Sequence, residues 1–191
     1  MNAPAPITNL PEKLRLRVED FELLEEAGAF EAFSKAELID GDIIVLPAQY
    51  ARHGFAKTWL LVELEIRLRE LGSNLTVYGE VSLRVAPDSS PELDLFLAPR
   101  QGFGPVPVAG VALVVEVADT TLRTDLGRKA ELYAAAGVPE YWVVDLEGAR
   151  VVRHDGLGAA GYAGRVEVPF GERLVSATLA GIEVETARLA G

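Results

Sequence analysis

Cysteine is absent from the sequence, which excludes disulfides, thiolate nucleophiles and Cys-ligated zinc together. The same absence fits a cytoplasmic protein. Long apolar runs are lacking too. The most apolar stretch, residues 106–117, is broken by Pro107, Gly110 and Glu116, and no run reaches the ~18–20 residues that span a bilayer, so no membrane partner is expected. The N-terminus, MNAPAPITNLPEK, has no basic segment leading into an apolar one, hence no targeting pattern, and residues 1–17 read as a flexible arm. Positive charge is scarce. Against 29 Asp and Glu stand 18 Lys and Arg, a formal net charge of -11, which argues against a protein that coats nucleic acid non-specifically. Residues 120–165 are an exception: six basic and six acidic side chains make this stretch neutral, so a local basic strip can still guide an anionic substrate. No Walker loop, G-x-G-x-x-G fingerprint or nucleophile elbow is found.

What is present is apolar material, 49% of the 191 residues, enough for a sizeable core. Residues 18–27 read as a short helix stopped at Gly28. Residues 36–46 hold two apolar runs around Asp40-Gly41, a two-residue hairpin signal, because both turn positions need positive φ. Residues 53–71 form the longest helical pattern. Phe55, Trp59, Val62 and Ile66 recur at three- to four-residue spacing, and so do Leu61, Leu64, Leu68 and Leu71, with Gly72 as the stop. So wide an apolar face predicts packing against a sheet. Strands are predicted at 76–85, 93–97 and 111–117, the last buried on both faces, with a turn at 87–91 and a loop at 99–107. Residues 126–136 predict a second helix, capped by Thr124 or Asp125 and ended by Gly137 and Pro139. Strands at 141–145 and 149–154 flank Glu147-Gly148, and residues 156–191 hold short β-like pieces at 166–169 and 181–184. This order predicts an α/β fold, a mixed central sheet flanked by helices, with an N-terminal β-hairpin and a C-terminal β-rich extension.

Two charges interrupt apolar strands: Asp94 in Leu93–Leu97 and Glu116 near the end of residues 111–117. Burying an ionised carboxylate costs several kcal/mol unless it is paired or metal-bound. Either residue alone reads as a strand-end group facing solvent or an arginine. Together, on neighbouring strands, they make a hard-oxygen site suited to Mg²⁺ or Mn²⁺, with the Val117 carbonyl as a natural third ligand. Lys129 follows thirteen residues after Glu116, and Asp125 lies one helical turn before it. Alone they read as a surface ion pair and a cap. Beside a carboxylate pair, the lysine can orient a nucleophile and offset charge on a phosphoryl transition state.

The segments ELIDGDIIVLP, ARHG, PELDLFL and LVVEVADTTLRTDLGRKAELYAAAGVPEYWVVD resemble the Uma-type restriction endonuclease family of the PD-(D/E)XK nuclease superfamily, over roughly residues 18–155. The resemblance implies a restriction-endonuclease-like domain over 18–191 with its core at about 36–155, and a metal-dependent endonuclease acting on nucleic acid, DNA in preference to RNA. It implies Asp94 and Glu116 as metal ligands, Lys129 as the lysine moved to the following helix, Asp125 as the aspartate before it, and Glu37 as an acidic residue that reaches the metal directly or through water. Two positions depart from the superfamily pattern: Leu93 precedes Asp94, and Ala118 stands where the lysine usually sits. His53 matches a histidine common in the family. It reads equally as a phosphate-binding or proton-shuttling group and as a helix-start residue making a local hydrogen bond.

Three functions compete. The first is the metal-dependent endonuclease. The second is a catalytically inactive interaction module on the same fold, motivated by the acidic balance and Ala118. The third is a hydrolase of small phosphoesters. His154 reads as structural or solvated, Tyr141 and Trp142 as core, and Arg123, Arg128, Arg150, Arg153 and Arg165 as either a phosphate track or a solvated face. An apolar edge of the C-terminal segment suggests a homodimer.

Overall fold

Strict alternation along the chain separates two cores on either side of one sheet. The computed structural model describes residues 13–46, 48–100 and 106–190. Residues 1–12 of the expected arm and 101–105 of the expected loop lie outside the described residues. The central sheet contains β3 (Leu75–Ser82), β4 (Glu92–Pro99), β5 (Leu113–Ala118), β6 (Glu140–Asp145), β7 (Arg150–Gly158) and β8 (Gly161–Pro169), in that spatial order. Only β5 and β6 run parallel, and the crossover between them carries helix α3, residues 122–135. On one face, Leu95, Leu97, Leu113, Val115 and Trp142 pack with Leu60, Leu64 and Leu68 of helix α2 (Ala51–Glu70). On the other, Phe96, Val114, Tyr141 and Val143 pack with Ala130 and Tyr133 of α3. Burial on both faces explains why β5 and β6 read as continuous apolar runs. No helix among the described residues is long and apolar enough to cross a membrane.

The N-terminal hairpin forms as expected. Strands β1 (Lys35–Ile39) and β2 (Asp42–Leu46) turn at Asp40 and Gly41, with φ of 53° and 74°. A side chain at Gly41 would also press on the backbone of Leu16. Helix α1 (Val18–Glu26) sets Val18 and Phe21 on Leu38, and a Leu38–Ser90 bridge ties the hairpin to the turn before β4. That bridge places β1 beside the end of β4 where Asp94 lies.

Several boundaries differ from expectation. Strand β3 stops at Ser82 rather than residue 85, just after Glu80 takes φ 55°. A 3₁₀ turn at Val108–Gly110 delays β5 to Leu113. Neither Thr124 nor Asp125 caps the second helix. The amides of both donate to the Thr121 carbonyl, so α3 has already begun at Leu122. Residues Asp125–Lys129 then form a π-helical turn before regular helix resumes at Ala130–Ala135. After β6, positive φ falls on Ala149 (50°) rather than on Glu147 or Gly148, and Gly148 is needed because a Cβ there would lie 2.2 Å from Asp145 Oδ2.

The C-terminal extension is more ordered than its sequence suggests. Strand β8 pairs along β7, then β9 (Arg173–Val175) and β10 (Glu183–Glu185) form a small ladder ahead of a 3₁₀ turn at Thr186–Ala190. Leu174, Ile182, Val184 and Leu189 join the core beneath α2. A buried carboxylate fastens this segment. Glu140 accepts from Trp142 Nε1 (2.6 Å), Ser176 Oγ (2.7 Å), the Thr178 amide (2.9 Å) and Thr178 Oγ1 (2.7 Å). Glu140→Ala strands these donors and is expected to cost about 3 kcal/mol or more in urea unfolding, with faster proteolysis after residue 170. A loss below about 1 kcal/mol would contradict the latch.

Candidate active site

The β4–β5 ladder runs through Leu97–Leu113, Phe96–Val114 and Leu95–Val115 and then ends. One further step places Asp94 directly across from Glu116. Side chains continue the pairing that the backbone drops. The Val117 amide donates to Asp94 Oδ2 (2.8 Å), and the Asp94 amide donates to Glu116 Oε2 (3.4 Å). Both carboxylates are buried, so neither is the solvent-facing strand-end group that its own context allows. Like charges facing each other across strands repel, and the surrounding elements answer with cations.

Helix α3 supplies Lys129, 4% exposed, with Nζ 3.1 Å from Glu116 Oε1, 3.1 Å from Glu37 Oε1 and 3.7 Å from Asp125 Oδ1. Asp125 is buried as well and accepts from Thr121 Oγ1 (2.6 Å), so the surface-pair reading of these two residues fails. The π turn inserts one residue into the helical repeat, and such bulges gather at functional sites. Here Tyr141 Oη donates to the Asp125 carbonyl (3.1 Å) within that turn. Strand β1 supplies Lys35, 3.2 Å from Glu37 and 3.6 Å from Asp94 Oδ1. Helix α2 supplies Lys57, 3.7 Å from Asp94 Oδ1 and 2.6 Å from Glu80, and His53, whose Nε2 is 3.5 Å from Asp94 Oδ2. Tyr133 Oη donates to Glu116 Oε1 (2.6 Å).

These surroundings push the two carboxylates apart. Burial pushes Glu116 up to about 7, against Lys129, with the Asp94 charge adding to the rise. Burial acts the same way on Asp94, but His53, Lys35 and the Val117 amide outweigh it and hold Asp94 below the usual carboxylate range. Burial works against the charge of Lys129, yet Glu116, Glu37 and Asp125 raise its pKa well above the ordinary lysine value.

Two buried atoms in this cluster lack a hydrogen-bond partner: Asp94 Oδ1 and His53 Nε2. Four carboxylates, Glu37, Asp94, Glu116 and Asp125, face Lys35, Lys129 and a Lys57 shared with Glu80, which leaves negative charge in excess. An orphaned carboxylate oxygen in an oxygen-rich, electronegative cluster fits a hard divalent cation. Among the described residues no three His, Cys, Asp or Glu side chains are arranged to hold a metal, so the fit rests on Asp94, Glu116 and a main-chain oxygen. A cavity of about 160 Å³ lies over these groups, rimmed by Gln49 and Tyr50, and a neighbouring one of about 450 Å³ shares Asp94 with it.

Sequence reasoning missed Lys35, Lys57 and Tyr133. Each lies one repeat from a residue that it found: Lys35 two before Glu37 in a strand, Lys57 and Tyr133 four after His53 and Lys129 in helices. Four of the five arginines are paired: Arg128 with Asp40 and Glu131, Arg150 with Asp145 and Glu167, Arg153 with Asp155, and Arg165 with Glu167, while exposed Arg123 has no ion pair among the described residues. His154 stacks on Tyr141 at 5.8 Å and takes no part in the carboxylate cluster.

A mixed sheet with a crossover helix and a buried carboxylate pair at a strand fork is a restriction-endonuclease-like architecture. The sequence profile of the Uma2 family, described as "Putative restriction endonuclease", matches residues 18–187, and the chain belongs to that family. No curated protein matches it. The fold is shared with the crystal structure of a "putative nuclease" from Anabaena variabilis, at a TM-score of 0.70 and 13% identity over 92% of this chain and 97% of that one.

Two outcomes test the electrostatics. Lys129→Ala leaves Glu116 and Glu37 buried without their shared cation and should cost about 3–5 kcal/mol at neutral pH. In EDTA, the raised Glu116 pKa stabilises the fold at acid pH, and that contribution is lost as pH rises from the ordinary carboxylate range through about 7. Glu116→Gln should flatten this part of the stability profile, as read by chemical denaturation. An unchanged slope would show that Glu116 titrates normally.

Proposed function

We propose that the chain is a metal-dependent endonuclease that hydrolyses phosphodiester bonds in DNA. The observation that carries this reading is the buried meeting of Asp94, Glu116 and Lys129 at the β4–β5 fork, with Asp94 Oδ1 accepting no hydrogen bond. Family membership supports the reaction class. Asp94, Glu116 and the Val117 carbonyl would hold Mg²⁺ or Mn²⁺, with Glu37 as a further carboxylate close by. A bound divalent ion supplies Lewis acidity to the phosphate and stabilises the departing oxygen. The chain's own groups do the rest. The Val117 amide fixes the Asp94 carboxylate in place. Lys129 opposes the burial that raises the Glu116 pKa and would hold an ammonium where charge builds on the phosphoryl group. Tyr133 and Asp125 orient Glu116 and Lys129 from behind. His53, with Nε2 3.5 Å from Asp94 Oδ2, is placed to contact the phosphate or carry a proton on the Asp94 side.

A second reading is a catalytically inactive module. It is favoured by Lys35 and Lys129, which already neutralise much of the carboxylate charge, and by Ala118 in the usual lysine position. It predicts no heat on titration with Mn²⁺.

Under the endonuclease reading, purified protein should nick or linearise plasmid with Mg²⁺ or Mn²⁺ and lose that activity in EDTA. Asp94→Asn and Glu116→Gln should be inactive, and Lys129→Met should be slower by roughly a hundredfold or more. Cleavage that persists in both carboxylate variants would remove the site from the reaction.

A further inference from the structure

Helix α2 and strand β3 do not close on each other at the Asp94 end. Between them lies the cavity of about 450 Å³ that shares Asp94 with the candidate active site. Two glycines on its walls keep it open. Gly54 lies within α2, where glycine is less stable than alanine. A Cβ at Gly54 would meet nothing within 4 Å, so internal packing does not ask for glycine there. Gly79 faces the cavity from β3, where a Cβ would lie 3.3 Å from Leu95 and 3.5 Å from Leu61. A helix glycine with empty space before it suits a place where another molecule approaches the backbone closely.

The remaining walls are polar or aromatic. Glu80, next to Gly79, takes φ 55° inside a strand, a left-handed conformation that strains a glutamate. Strain of this kind gathers at ligand sites. The Glu80 carboxylate accepts from Lys57 Nζ (2.6 Å), and both side chains line the cavity. At the rim Tyr50 is 74% exposed and borders both cavities.

We propose that this cavity is a base pocket, which receives one unstacked nucleobase of the strand whose phosphate lies at Asp94. The proposal rests on the nuclease reading above. Because Asp94 lines both cavities, a group in one abuts a group in the other. Charge selects a base over a second phosphate. Asp94 and Glu80 would repel an anion, and Lys57 is already shared between them. The shape suits a flat ring: Leu61, Leu95 and the two glycine backbones give apolar walls, and Tyr50 gives a ring face on which any base stacks. Lys57 and Glu80 set a donor and an acceptor side by side, which the edge of a base complements. A base enters such a pocket only when it is out of the helical stack, so the strand is unpaired at that nucleotide.

The test is fluorescence anisotropy of the full chain with a labelled oligothymidylate and with an abasic oligomer of equal length and charge, in Ca²⁺ and in EDTA. The base-bearing strand should bind roughly tenfold more tightly. Gly54→Leu should erase that preference while raising the urea midpoint, since leucine is the better helix former and fills the cavity. Loss of binding then cannot be put down to loss of fold. Tyr50→Ala should also erase the preference and Tyr50→Phe should keep it, and this exposed position preserves the test if Gly54→Leu misfolds. Equal affinity for the two oligomers, no detectable binding of either, or a preference that survives Gly54→Leu and Tyr50→Ala overturns the pocket. Affinity is read without cleavage. An inactive protein that prefers the base-bearing strand therefore retains the pocket, and a nuclease that binds both oligomers equally loses only the pocket.

Discussion

Two carboxylates placed directly across from one another at the end of a strand ladder are the constraint around which the molecule is organised. Asp94 and Glu116 repel, and both are out of water. Each is held by the other strand's backbone: the Val117 amide on Asp94 and the Asp94 amide on Glu116. These contacts end the β4–β5 pairing and keep the strands apart where a cavity can form. The repulsion is then offset by lysines from three separate elements, β1, α2 and α3. The hairpin, the long helix and the crossover helix each have a reason to dock at this end of the sheet.

Helix α3 shows how the site draws on local irregularity. Asp125, Lys129 and Tyr133 lie at i, i+4 spacing and so share the face toward Glu116, and the π turn falls between the first two, where Tyr141 serves the Asp125 carbonyl. The remote C-terminal segment works differently. Glu140 is as buried as Glu116, but its oxygens are fully occupied by hydroxyl, indole and amide donors. One buried carboxylate is satisfied and structural. The other lies beside an orphaned oxygen and excess negative charge, which is what separates a latch from a candidate reactive centre.

Much of this was legible in the chain. Asp40-Gly41 marked its hairpin because positive φ is a local demand. The apolar runs at residues 93–97 and 111–117 exposed Asp94 and Glu116 as misplaced charges, since the cost of burying a carboxylate depends on its immediate apolar neighbours. The start of α3 was not legible, because Thr124 and Asp125 have the chemistry of caps and only the hydrogen bonds to Thr121 show the helix already under way. The extension after residue 156 was poorly legible for a related reason. Its short strands β9 and β10 pair only with each other, and the segment is fastened by Glu140, distant in sequence from Ser176 and Thr178.

The sequence by itself determined the α/β order of elements, the hairpin, and the identities of Asp94 and Glu116 as charges in apolar settings, because periodicity and desolvation act over a few residues. The tertiary structure alone decided that Lys35 and Lys57 answer Asp94, that Tyr133 binds Glu116, and which of the two apolar stripes of α2 faces the sheet. Those outcomes depend on register and docking between elements far apart in the chain, where the choice is made by packing volume and charge balance summed over the whole site.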